Sequence, residues 1–249
     1  RSPCAGSFGG FEFDKKISLE TKEHFVDYVI KFLELEGSKQ IKITLPPDIY
    51  DSDNNAHLMS ILHRQNFTIS SVDVNQYIDL LTYDSVSSVS YGNRKRIKNC
   101  KKNGMILRQL IEEDFQSAYD VIVFNRRSRG YPITMSWNSL EEMVDKFGNK
   151  VLFFGLFDDD KMIASSICIN VMQDVLYVFY WGEITGYENL SPIAYLADQL
   201  VHYCYNNGFK IMDVGTSSVD SNPNFGLFKF KKNIGCDCCS KYNLIREVS

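Results

Sequence analysis

The sequence predicts an α/β (α+β) fold with mixed, mostly antiparallel sheets flanked by helices, and three adjoining stretches predict it. Residues 150–184, KVLFFGLFDDDKMIASSICINVMQDVLYVFYWGEI, hold three β-rich runs separated by Asp158-Asp159-Asp160 and Gln173-Asp174. Alternation broken by such turn signals is the pattern of a β-meander. Residues 189–208, NLSPIAYLADQLVHYCYNNG, form a helix announced by Asn189 and Ser191-Pro192 and stopped at Gly208. Residues 209–218, FKIMDVGTSS, return as a strand that ends in a polar turn at Gly215-Thr216-Ser217-Ser218.

The remaining elements follow in order. SFGGFEF (7–13) reads as a short strand with a glycine pair, and the stretch from Ser18 to Gly37 as an amphipathic helix with a serine cap and a glycine stop. KQIKITLP alternates as a strand, SDNNAHLMSILHRQNF is a helix, and TISSVDVNQYIDL holds one or two strands. Residues 104–110 (GMILRQL) are a short strand. Residues 112–129 place Phe115, Ala118, Tyr119, Ile122 and Val123 on one helix face. Residues 136–147 make a second helix, opened by Ser136 or Ser139, with Glu141 and Glu142 in its first turn. After the meander come a short helix over 224–233 and a closing strand over 238–247. Residues 7–80 thus run β-α-β-α-β, the order that also ends the chain. One complete unit and the back half of another are expected.

Composition sets bounds. A chain of 249 residues is one large or two ordinary domains, and 44% hydrophobic with 23% charged residues is ordinary for a soluble globular protein. The net charge of -4 gives no reason to expect nucleic acid, DNA included, or an anionic membrane as the main partner. No apolar run reaches the ~18 residues of a membrane span. The chain opens on Arg1 without a signal-peptide pattern, so an upstream segment is expected. The seven cysteines, most alone in apolar runs as Cys168 and Cys204 are, are reduced, cytoplasmic usage. Cys236, Cys238 and Cys239 are spaced C-x-C-C, with His24, His57, His63 and His202 all upstream, so a terminal strand with three thiols is expected rather than a metal site.

Between the two units lies residues 85–103, SVSSVSYGNRKRIKNCKKN, with Arg94, Lys95, Arg96, Lys98, Lys101 and Lys102. It reads as the solvated face of a connecting helix or as a surface that attracts an anionic partner.

The order β-α-α-β-β-β-α-β-α-β over the second unit resembles the GNAT acyl-CoA N-acyltransferase fold. The tandem arrangement, with a basic helix followed by KKNGMILRQL, resembles the Fem-related (FemABX) branch. NRRSRGYPITMS, VFYWGE followed by NLSP, DVGTSS and PNFGLFKFKKNIGC are similar to motifs of uncharacterised bacterial acetyltransferase-like members. The resemblance implies a division into residues 1–84 (the back half of an N-terminal GNAT-like domain), 85–103 (the basic linking helix) and 104–249 (a complete C-terminal domain). It also implies a front half for the first domain of ~50–90 residues, by fold analogy.

What the resemblance implies about the site is specific. The strand 175–184 splays from the strand 210–215 to admit a thioester, with Tyr180, Trp181 and Gly182 at its end. The diphosphate of acyl-CoA (acetyl-CoA), the implied co-substrate, lies at the helix start formed by Asn189, Leu190 and Ser191, where free N–H groups and the dipole favour an anion. Many GNAT proteins carry a glycine-rich loop there, whereas this chain has Gly186-Tyr187-Glu188-Asn189-Leu190-Ser191-Pro192. Glu183 and Asp213 are the nearest carboxylates for a general base, and Asp213 also reads as an orienter of the Gly215–Ser218 turn. Lys229 and Lys231 read either as oxyanion stabilisers or as an exposed KFKK face. Arg126 and Tyr131 line the acceptor side, and Thr216 and Ser217 position the acceptor or cap the next helix. The expected reaction is direct attack of an amine, in a small molecule or peptide, on the acyl carbonyl. The alternatives are an aminoacyl-tRNA-dependent Fem-type peptidyltransferase acting on a cell-wall precursor, and a catalytically silent GNAT-like binding module.

Overall fold

The computed structural model describes residues 7–248. They form two compact units, one of residues up to 75, 216–224 and from 238, the other of residues 76–215 and 225–237.

The first unit opens with helix α1 (Leu19–Leu35), then strand β1 (Gln40–Thr44), helix α2 (Ser52–Arg64) and strand β2 (Thr68–Asp79), which enters the second unit at Gln76. Ser18 caps α1 by accepting the Thr21 N–H at 3.2 Å, and Asp51 caps α2 by accepting that of Asn54 at 2.9 Å. Val26 and Ile30 of α1 and Leu58, Ile61 and Leu62 of α2 build the core. Of the one or two strands expected after α2, the chain forms one, Thr68–Asp79. The strand expected over 7–13 is not one. Gly9 donates to Thr44 O at 2.8 Å, but the Phe11 carbonyl takes the side chain of Asn54 at 3.0 Å, so a ladder does not propagate.

The second unit continues with α3 (Tyr91–Lys102), β3 (Ile106–Gln109), α4 (Phe115–Ser128), α5 (Trp137–Phe147), β4 (Val151–Asp158), β5 (Lys161–Met172), β6 (Val175–Glu183), α6 (Pro192–Asn206) and β7 (Ile211–Thr216). The helix expected from Glu112 starts as a 3-10 turn over Glu112–Asp114. Strands β3 to β6 pair antiparallel in sequence, as the meander pattern required, with Asp159 at φ 53 turning β4 into β5. Alternation, switched in phase by a bulge at Phe179 of β6, then sorts side chains to two faces. Phe153, Ile167 and Tyr180 meet α4 and α5 through Ala118, Ile122 and Leu140. Phe154, Cys168 and Leu176 meet α6 through Leu196, Leu200 and Cys204, and α3 packs along α6 with Cys100 buried.

A two-residue hairpin, β8 (Ser218–Val219) and β9 (Asn222–Pro223), belongs to the first unit. Helix α7 (Phe225–Asn233) belongs to the second, and β10 (Asp237–Glu247) runs antiparallel to β1, from Gln40 opposite Glu247 to Thr44 opposite Asn243. The mixed, mostly antiparallel sheet flanked by helices is as the sequence predicts. Among the described residues no helix is long and apolar enough to cross a membrane.

Candidate functional site

The parting of β6 from β7 is where a site can form. The two strands pair in parallel at Val175–Ile211, Leu176–Met212 and Tyr177–Asp213, and the pairing stops there. Beyond Tyr177, β6 continues to Glu183 without β7 beside it, so the expected splay is present. Helix α7 bridges it. Phe230 meets Trp181 of β6 edge-to-face with ring centroids 6.1 Å apart, and Lys231 Nζ donates to the Gly215 carbonyl of β7 at 2.9 Å.

Gly215 is held on both sides. Its N–H donates to Asp213 Oδ1 at 2.8 Å, and its φ of 75 requires a glycine. Asp213 and Lys231 are only 1% and 2% exposed, and each makes one of these bonds to the Gly215 peptide at the end of β7. Asp213 therefore acts on the turn, one of the two roles read from sequence. The lysine turned inward is Lys231, whereas Lys229 is on the exposed face of α7.

The start of α6 departs most from expectation. Ser191 sits in the left-handed region (φ 51) and makes no side-chain cap. The cap comes from β6. Glu183 Oε2 accepts the Ile193 N–H at 3.2 Å, while Oε1 pairs with Arg129 Nη2 at 3.1 Å. Burial raises the Glu183 pKa above its ordinary value, against the lowering effects of the Ile193 N–H and the Arg129 charge. The neighbouring donors are also occupied. Leu190 and Ser191 N–H groups donate to Tyr187 O at 2.9 and 3.1 Å, Ala194 N–H donates to Ser191 O at 2.9 Å, and Pro192 has no N–H. The Leu190 and Ser191 donors that would hold a diphosphate are thus already satisfied from within the chain, and a carboxylate occupies the positive end of the helix.

Alternation along β6 divides the other predicted residues. Tyr180 and Gly182 face α4. Tyr180 is buried, its hydroxyl bonded to that of Thr134, with the Arg126 guanidinium 4.7 Å from the ring centroid and bonded to Pro132 O at 2.9 Å. At Gly182 a Cβ would lie 2.9 Å from Asn125 Cβ and 3.0 Å from Ile122 Cα, so the glycine lets α4 approach the strand. Tyr131 is half exposed in the loop after α4. Thr216 ends β7, and Ser217 belongs to the first unit, where its N–H donates to Val74 O and its carbonyl accepts from Asn224, each at 2.8 Å.

Near this site lies α3. Its buried Cys100 Sγ donates to Leu190 O at 3.4 Å, which sets the C-terminal end of α3 beside the loop into α6. Lys95, Arg96, Lys98, Lys101 and Lys102 are exposed, and among the described residues no ion pair joins them to a carboxylate.

No family model and no curated protein matches this sequence. Solved structures do match. FemX superposes with a TM-score of 0.74 at 12% identity, covering 92% of this chain and 77% of its own. The chain has the fold of FemX. L-PGS from Bacillus licheniformis follows with a TM-score of 0.67 at 10% identity, over 91% of this chain and 74% of that one. The C-terminal domain of a putative lysylphosphatidylglycerol synthetase from Agrobacterium fabrum gives 0.65 at 10% identity, over 90% and 74%. The likeness is one of fold, and it agrees with the resemblance to the Fem-related branch.

Proposed function

We propose that this chain is a Fem-type transferase that moves an aminoacyl group from a polyanionic carrier, an aminoacyl-tRNA, to an amine acceptor. The observation that carries this reading is the self-satisfied start of α6. A free CoA thioester needs an anchor for its diphosphate, and the anchor expected at Asn189–Ser191 is filled by Glu183 and Tyr187 O. The unneutralised basic face of α3, which ends beside that loop, supplies an alternative hold for a phosphate backbone. The fold is shared with the C-terminal domain of a protein described as a putative lysylphosphatidylglycerol synthetase, a name that denotes an aminoacylated product. The domain division drawn from sequence, with its halved first domain, is proposed along with it.

In this reading the acyl ester enters the splay between β6 and β7. The amine attacks the carbonyl carbon, the C–O bond to the carrier breaks, and the carrier hydroxyl takes a proton. Lys231 provides buried positive charge at the end of β7, where an oxyanion would develop, and a preorganised donor of this kind is worth on the order of 3 kcal/mol. Asp213 holds the Gly215 peptide that Lys231 grips. Glu183 positions α6 rather than serving as the base. The test is retention of an aminoacyl-tRNA by the protein, with Lys231→Met abolishing transfer while leaving binding intact. Retention of acetyl-CoA and not RNA would refute it.

The contact of Trp181 with Phe230 across the splay favours a second reading, a silent binding module. Single-turnover transfer that quickens when Phe230→Ala widens the gap argues for the enzyme. No transfer by either form supports the module.

A further inference from the structure

Helix α1 carries two apolar faces. Val26 and Ile30 point into the first unit, 0% and 2% exposed. On the opposite side Phe25, Tyr28, Phe32 and Leu35 are 50%, 70%, 51% and 87% exposed. Their steps of three, four and three residues make the narrow seam by which helices pack against helices, and a helix apolar on both sides is built to lie between two layers. Apart from the buried Lys22, the charges lie on one flank and are largely neutralised inside the unit. Glu23 pairs with Arg64 at 2.7 Å, Asp27 with Lys31 at 2.7 Å and Glu34 with Arg246 at 2.6 Å. The seam therefore offers a desolvatable surface with little like-charge repulsion at its edge.

We propose that this seam is a homodimer interface in which α1 packs antiparallel against α1 of a second copy. Two features favour a second copy over another occupant. A two-fold contact must be self-complementary, and an antiparallel seam sets Phe25 against Leu35 and Tyr28 against Phe32 of the other copy, large apolar against large apolar throughout. The area is sufficient. With aromatic side chains of about 150–250 Å² and the exposures above, the four residues present about 500 Å² per copy. A symmetric pair removes about 1,000 Å², the size at which a specific interface begins.

Sedimentation velocity of the whole 249-residue chain tests this. A monomer–dimer equilibrium is expected within a concentration range of roughly 5–200 μM. Tyr28→Glu and Leu35→Glu should each weaken it by about tenfold or more, with unchanged circular dichroism and melting temperature. Tyr28→Phe should retain it. A chain that stays monomeric over the range overturns the proposal, as does a dimer that neither charged variant weakens. A monomer that partitions through these residues onto vesicles of phosphatidylcholine and phosphatidylglycerol also overturns it, and makes a lipid surface the occupant.

Discussion

Replacing Glu183 separates its hydrogen bond from its charge, because the two act on stability in opposite directions. Alanine removes the acceptor for the Ile193 N–H, and a buried donor without a partner costs ~1–3 kcal/mol. It also removes the helix-dipole interaction, ~0.3–1 kcal/mol, and a pair with a half-exposed arginine worth ~0.2–1 kcal/mol. Against these stands relief of carboxylate burial, the largest influence on this carboxyl and the one that, with the nearby Glu188 charge, raises its pKa. The net loss for Glu183→Ala is about 1–2 kcal/mol, a fall in melting temperature of ~2–8 °C for a protein of this size. Glutamine keeps the acceptor and discards the charge. Because burial raises the Glu183 pKa, the folded protein binds this proton more tightly than the unfolded chain does. The stabilisation is complete at low pH and is lost as pH rises through the raised pKa. Glu183→Gln should therefore match the wild type in acid and exceed it at neutral pH and above. Urea titrations of the three proteins between pH values of about 4 and 8 read this directly. A glutamine variant as unstable as the alanine variant at the upper end refutes the assignment of the cap to the hydrogen bond.

Four further outcomes follow from the same geometry. Gly182→Ala should cost about 1–3 kcal/mol in thermal unfolding, since its Cβ meets the backbone of α4 at Ile122. Lys231→Met should cost ~1–3 kcal/mol, by stranding the Gly215 carbonyl, whereas Lys229→Ala, on the exposed face, should stay within ~0.5 kcal/mol on the same melt. Glu183→Ala frees the Ile193 N–H, so inorganic pyrophosphate should bind this variant and not the wild type in calorimetric titration. Reversing Lys98 and Lys102 to glutamate should weaken RNA binding at least tenfold and lower its salt slope by ~1–2, as loss of phosphate contacts requires.

The fold was legible where local rules decide it. The meander of β4 to β6 announces itself by alternation and by acidic turns, and α6 by its serine, proline and closing glycine. Ser18, Asp51 and Ser136 cap the helices they precede. The splay was expected only through the resemblance to the GNAT fold, not from any local pattern. The cap of α6 was hidden, because sequence offers Asn189 and Ser191 while the structure uses Glu183 from the preceding strand, a choice fixed by tertiary packing. On α7 the sequence shows a KFKK face without a register. Only the docking of Phe230 on Trp181 turns Lys231 inward and leaves Lys229 outside. Gly182 reads as a ligand contact at the strand end, yet the face it takes is set by the pairing of β6 with β5, and that face belongs to α4.

The nature of the donor is tested most directly by titrating one preparation with acetyl-CoA and, separately, with an aminoacyl-tRNA acceptor-stem helix at several salt concentrations. RNA binding is expected, with log K falling on log salt with a slope of about −2.7 to −4.5, as three to five contacts from α3 imply, and no heat is expected from acetyl-CoA. Saturable acetyl-CoA binding that pyrophosphate displaces, with no salt-dependent RNA binding, would contradict the account and return the start of α6 to its expected role as a diphosphate site.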